Sequence, residues 1–124
     1  MTKRIMVVED NDLNRKLFCD VLRANGFEVE PVADGAQVLD TARSVTPDLI
    51  IMDIQLPGIS GVDLIEAAKR DEDLRDIPIL AVTAFAAKGD EDRIREAGAA
   101  SYLSKPVSIS PFMAAVKNLI GEEA

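Results

Sequence analysis

Histidine and tryptophan are absent from this 124-residue chain, and cysteine occurs once, as Cys19. Without histidine, Ser–His–Asp and Cys–His catalysis lack their base, and a structural zinc site lacks its parts. A single cysteine excludes an intrachain disulfide, which fits a reducing cytoplasm. Cys19 itself reads as an ordinary helix position, not as a catalytic thiol. No apolar run approaches the ~20 residues of a membrane span. Met1 leads directly into a short strand pattern and then charge, so no signal peptide is read. Basic residues are also in short supply, 14 against 22 acidic, for a net charge of −8. Such a chain is repelled by nucleic acid and by anionic lipid, and neither is expected as a direct partner. What remains plentiful for chemistry is carboxylate, hydroxyl and lysine. At 48% hydrophobic, the chain can fill the core of one domain, expected to span residues 1–124.

Short apolar runs alternate with amphipathic stretches. Ile5 to Val8 is too short for a buried helix and reads as a central strand. From Asn11 to Asn25, Leu13, Leu17, Phe18, Val21 and Leu22 are assigned to one helical face, closed by Gly26. Phe27–Val32 is the next strand, and Ala36, Val38, Leu39 and Ala42 mark a second helix. Leu49–Met52 is a third strand, apolar on both faces, followed by a loop bracketed by Gly58 and Gly61. Ser60 caps a third helix carrying Val62, Leu64, Ile65 and Ala68. Ile77–Val82 is a fourth strand, Gly89–Ala97 a short, weakly apolar helix, and Ala100–Ser104 a fifth strand. Ser110-Pro111 opens the last helix, with Phe112, Val116, Leu119 and Ile120 inward. Five βα units whose strands are apolar throughout require burial on both faces. The expectation is an α/β fold: a doubly wound, five-stranded parallel sheet with helices on both faces.

In such folds ligands bind outside the carboxyl ends of the strands. The polar residues that follow the strands are Glu9 and Asp10, then Asp53, then Thr83, then Lys105. Taken singly, Asp10 is explained as a helix cap, Thr83 as a turn hydroxyl and Lys105 as a surface charge. Together they fall on one rim. Three carboxylates there cannot all stay ionised and unpaired: they share protons or bind a cation. Hard Mg²⁺ suits carboxylate oxygens and leaves room for a phosphate oxygen. Lys105 and the Thr83 hydroxyl would then be phosphate ligands, and the central Asp53 a nucleophile able to form an acyl phosphate.

Val8-Glu9-Asp10-Asn11, Met52-Asp53, Pro57-Gly58-Ile59-Ser60-Gly61, Val82-Thr83-Ala84 and Ser104-Lys105-Pro106, in order and register, resemble the response-regulator receiver family. The resemblance runs from the first strand to the last helix and implies a (βα)5 flavodoxin-like receiver fold. It implies that Asp53 accepts a phosphoryl group from a sensor histidine kinase or a histidine phosphotransfer protein. Glu9, Asp10, Asp53 and the backbone carbonyl of Gln55 would hold Mg²⁺, with Thr83 and Lys105 on the phosphoryl group. Tyr102 fills the family's aromatic switch position, paired with Thr83, and the Lys105–Pro106 bond is expected to be cis. The segment from Thr83 to Glu96 is similar to single-domain members that control cell division and cell fate.

The chain is therefore expected to be a cytoplasmic phosphoacceptor, not a turnover enzyme, promoting only its own phosphorylation and slow dephosphorylation. Gln55 and Phe85, flanking the pocket mouth, are poor bases for water, so the acyl phosphate should last minutes or longer. The first helix, through Asn14, Arg15 and Phe18, would meet the phosphodonor. A face around Ile94 would bind a downstream protein in the phosphorylated form. Met1 just before the first strand argues for a complete small protein over a receiver excised from a hybrid histidine kinase. A Mg²⁺-dependent phosphohydrolase is the other reading, but Gln55 stands where such enzymes carry a second aspartate as general acid. A phosphate-independent interaction domain would be expected to lose an acid, the threonine or the lysine, and all are present.

Overall fold

The computed structural model describes residues 2–84 and 88–121; Phe85 lies outside the described residues. Strands β1 (Arg4–Val8), β2 (Glu28–Val32), β3 (Leu49–Asp53), β4 (Ile79–Thr83) and β5 (Ser101–Ser104) form one sheet. Helices α1 (Asp12–Ala24), α2 (Val38–Val45), α3 (Gly61–Arg70), α4 (Lys88–Ala97) and α5 (Ile109–Ile120) connect and follow them. All neighbouring strands of this sheet are parallel, in the order β2-β1-β3-β4-β5. This is the doubly wound α/β architecture expected from the apolar runs.

The pleat explains why those runs are continuous: successive side chains leave a strand on opposite faces. Ile5, Val7, Leu49, Ile51, Leu80 and Val82 pack with Phe18, Cys19 and Leu22 of α1 and Phe112, Met113 and Val116 of α5. The intervening Met6, Val8, Ile50, Met52, Ile79 and Ala81 pack with residues of α2, α3 and α4. The two edge strands, β2 and β5, depart from this pattern. Strand β2 carries Pro31, which has no ladder N–H to give, and exposes Glu28.

The buried face of α1 and the starts of α5 and the fourth strand differ from the sequence reading. Leu13 and Leu17 are 79% and 46% exposed, and α1 instead buries Phe18, Cys19 and Leu22. At about 100° per residue, Leu13 points almost opposite to that trio, so the true apolar stripe excludes it. Helix α5 starts at Ile109 with Ser108 at its cap, because Phe112 N already donates to Ser108 O at 3.1 Å. Pro111 is accommodated because first-turn N–H groups need no helical acceptor. The fourth strand starts at Ile79, not Ile77: Ile77 N closes a turn onto Leu74 O at 3.0 Å, and Pro78 has no N–H.

The stretch after β3, read as a loop, is a small hairpin in which Gln55 and Leu56 pair antiparallel with Ser60 and Ile59. Pro57 and Gly58 form its turn, and Gly58 has φ +76, the value the third residue of a type II turn demands. Ser60 caps α3, accepting from Val62 N at 3.2 Å. Gly61 then opens the helix against the Asp53 backbone, and a Cβ on it would lie 2.5 Å from Asp53 O.

Candidate active site

The order of the sheet reverses between β1 and β3, and the crevice this leaves at their carboxyl ends is the expected ligand position. Asp53 is the last residue of β3 and is only 3% exposed. Glu9 follows β1 and is 1% exposed, and Thr83 ends β4 at 2%. Asp10, beside Glu9, faces solvent. Lys105 follows β5 and joins the sheet through its backbone, donating to Thr83 O at 2.7 Å. The Lys105–Pro106 bond is cis.

The lysine ties the acids together. Its Nζ lies 2.8 Å from Glu9 Oε1 and 3.0 Å from Asp53 Oδ2. Burial works against its charge, but the hydrogen bonds to Glu9 and Asp53 outweigh it and hold Lys105 above the usual lysine range. Glu9 is pushed up to about 7, first by burial and then by the Asp53 carboxyl, with Lys105 opposing. One carboxylate oxygen of each of Glu9, Asp10 and Asp53 lies within 4.8 Å of the others. Glu9 Oε2 is buried and, among the described residues, has no hydrogen-bond partner, a costly state that a cation would relieve. Three converging carboxylates and one orphaned oxygen fit a hard divalent ion such as Mg²⁺.

Gln55 contributes more than its place in the sequence suggested. Its backbone N–H donates to Asp53 Oδ1 at 2.9 Å. Its side-chain amide spans the mouth of the site: Nε2 donates to Thr83 Oγ1 at 3.1 Å, and Oε1 accepts from Ala84 N at 3.0 Å. Periodicity could not reveal this, because it depends on the hairpin folding the chain back toward β4. Arg15, proposed as a partner contact, is largely committed to the molecule itself. It donates to Glu9 O at 2.9 Å, to Asp10 O at 3.4 Å and to Asp12 Oδ1 at 2.6 Å, bracing the turn that carries two of the acids.

Two proposed surface residues are core residues. Phe18 is 6% exposed and stacks on Phe112 with ring centroids 5.0 Å apart. Ile94 is 1% exposed and sits in the cluster under α4; as the main apolar anchor of a polar helix, it cannot also face a partner. Asn14 is half-buried and, with Leu17, Phe18, Lys105, Pro106 and Val107, lines a groove beside the site. Tyr102 is half-buried against α4. Arg95 lies over its ring at 5.4 Å, and the Glu91 carboxylate near its hydroxyl raises the phenol pKa.

Residues 5–117 match the response regulator receiver domain family, and the chain belongs to that family. Members act in two-component signalling. Among individual proteins, the chain is 52% identical over 122 residues to the polar-differentiation response regulator DivK of Brucella ovis, covering 98% of this chain and 99% of that one. It is 50% identical over the same span to DivK of Brucella anthropi. A putative response regulator from Chloroflexus aurantiacus superposes with a TM-score of 0.93 at 31% identity, covering 98% of this chain and 100% of that one. The receiver domain of a Pseudomonas aeruginosa sensor histidine kinase superposes at 0.89 with 34% identity and the same coverage, and holds a magnesium ion in its active-site cleft.

Proposed function

We propose that Asp53 accepts a phosphoryl group from a phosphohistidine of a sensor kinase or phosphotransfer protein, with Mg²⁺ held by Glu9, Asp10, Asp53 and the Gln55 backbone carbonyl. The observation that carries this reading is the buried Asp53 carboxylate, 3.0 Å from Lys105 Nζ and within 4.8 Å of two further acids. An Asp53 oxygen attacks phosphorus, a P–O bond forms, and the P–N bond breaks, its electron pair returning to a donor ring already protonated on its other nitrogen, which leaves as neutral imidazole. The bound ion would supply charge neutralisation on the phosphoryl oxygens. Lys105 keeps its proton and follows the negative charge from the carboxylate onto the phosphoryl group. Thr83 and Tyr102 act as the switch pair, and a downstream protein reads the α4–β5 face. Gln55 is an amide with no useful basicity, so water near the acyl phosphate lacks a general base and hydrolysis is slow.

The phosphodonor is assigned to the groove beside α1, where Leu13 and Leu17 are exposed next to Asn14, Pro106 and Val107. The whole chain is read as one receiver domain acting in the cytoplasm, without direct contact to nucleic acid or membrane. The kinship with DivK supports a role in cell polarity and division. Acetyl phosphate with Mg²⁺ should add one phosphoryl group per chain, persisting for minutes or longer, and Asp53→Asn should take none. Labelling of that variant at the wild-type level would refute the assignment.

A further inference from the structure

The Gln55 side chain bonds two groups at the end of β4, the strand that pairs with the Asp53 strand. Its Nε2 donates to Thr83 Oγ1 at 3.1 Å and its Oε1 accepts from Ala84 N at 3.0 Å. Thr83 is only 2% exposed, so its neighbours fix where its hydroxyl points. The Ala84 N–H can give itself fully to one acceptor, and that acceptor is the glutamine. Gln55 is itself anchored, because its backbone N–H bonds Asp53 Oδ1 at 2.9 Å and its residue pairs with Ser60 in the hairpin. The amide is thus a short, rigidly based bridge from the phosphoacceptor strand to the switch strand.

A glutamine amide can donate and accept at once, which is what this bridge uses. Methionine matches its length but offers neither bond. Glutamate keeps the acceptor for Ala84 N and can accept from the Thr83 hydroxyl. Side-chain length and hydrogen-bonding chemistry can therefore be separated by substitution.

We propose that the Gln55 side chain is a latch: it holds Thr83 and the Ala84 amide in the resting arrangement, and a phosphoryl group on Asp53 must displace it to reach them. This rests on Asp53 being the phosphoacceptor. Gln55 is a positioning residue here, acting through Thr83 and Ala84. The phosphorylated form then lies uphill by the cost of breaking the two bonds, and a partner that prefers it must supply that difference.

The test uses the whole protein and beryllium trifluoride, a phosphoryl mimic that binds a carboxylate oxygen. Two hydrogen bonds of ordinary net strength correspond to a shift of about fivefold to 150-fold. Gln55→Met should therefore bind beryllium trifluoride with Mg²⁺ about fivefold to 150-fold tighter than wild type, by fluorine NMR titration. Without metal or mimic, the Ala84 amide should be protected from hydrogen exchange in wild type and in Gln55→Glu, and should lose that protection in Gln55→Met. Equal affinity in wild type and Gln55→Met, or equal Ala84 exchange in the two, would overturn the latch while leaving the phosphoacceptor reading intact. A wild-type protein that takes up no beryllium trifluoride would overturn that reading, and the latch with it.

Discussion

Glu9 is the residue whose environment is most at odds with its chemistry. Its carboxyl in the folded protein titrates near 7 against 4.5 for an unperturbed glutamate, so between these values the native state holds a proton that the unfolded chain releases. Its stabilising effect is full below about pH 4.5 and is lost as pH rises through 7. In metal-free buffer, stability should fall by roughly 3 kcal/mol across that window. Chemical denaturation at a series of pH values with chelator checks this, and Glu9→Gln should remove the slope. Lys105, also raised, adds no slope there, since its contribution is lost only above its own alkaline range. Most of this cluster was legible in sequence, because Glu9, Asp53, Thr83 and Lys105 simply follow or end apolar runs. The Gln55 side chain was not, since nothing in a run of residues tells which way a hairpin will turn an amide. Phe18 and Ile94 were misplaced for the opposite reason: each is an apolar residue that its helix buries as an anchor, Phe18 in the inner stripe of α1 and Ile94 on the otherwise polar α4.

At the scale of elements, α3 and α1 make opposite demands. The first residue of α3 touches the Asp53 backbone, and a methyl group on Gly61 would meet a carbonyl at 2.5 Å, which no flexible side chain can relieve. Gly61→Ala should cost about 1–3 kcal/mol, measured by denaturant midpoint, and should slow Asp53 labelling by acetyl phosphate because the acid's own strand end is displaced. The outer face of α1 carries no such load. Leu17→Ser should leave stability within about 0.5 kcal/mol and acetyl phosphate labelling unchanged, while slowing transfer from a phosphohistidine protein. Loss of both labelling routes together would count against α1 as the donor face. Helix existence was readable from periodicity throughout. Which stripe of α1 faces the sheet was not, because its leucines form a second stripe that packing alone rejects. The start of α5 was likewise hidden, since two serines precede one proline and both look like caps.

Three acids, Glu9, Asp10 and Asp53, converge at one end of the sheet. The parallel order followed from strands with no polar face, and the position of the site followed from that order. Cation binding at this end should therefore act on the stability of the entire fold. At about a hundredfold its dissociation constant, Mg²⁺ should add about 2.7 kcal/mol, a rise in Tm of roughly 10 °C for a chain of this size. Asp10→Asn removes the solvent-facing acid and should abolish most of that rise. Thermal unfolding with and without the ion measures both.

The setting of Tyr102 has an optical consequence. It is the only tyrosine in a chain without tryptophan, so ultraviolet emission beyond the phenylalanine range comes from a single ring. That ring has Arg95 over its face and the Glu91 carboxylate near its hydroxyl, a setting that quenches a phenol. Any movement that frees Tyr102 from Glu91 should brighten the protein, which thus carries its own unlabelled reporter at the face between α4 and β5.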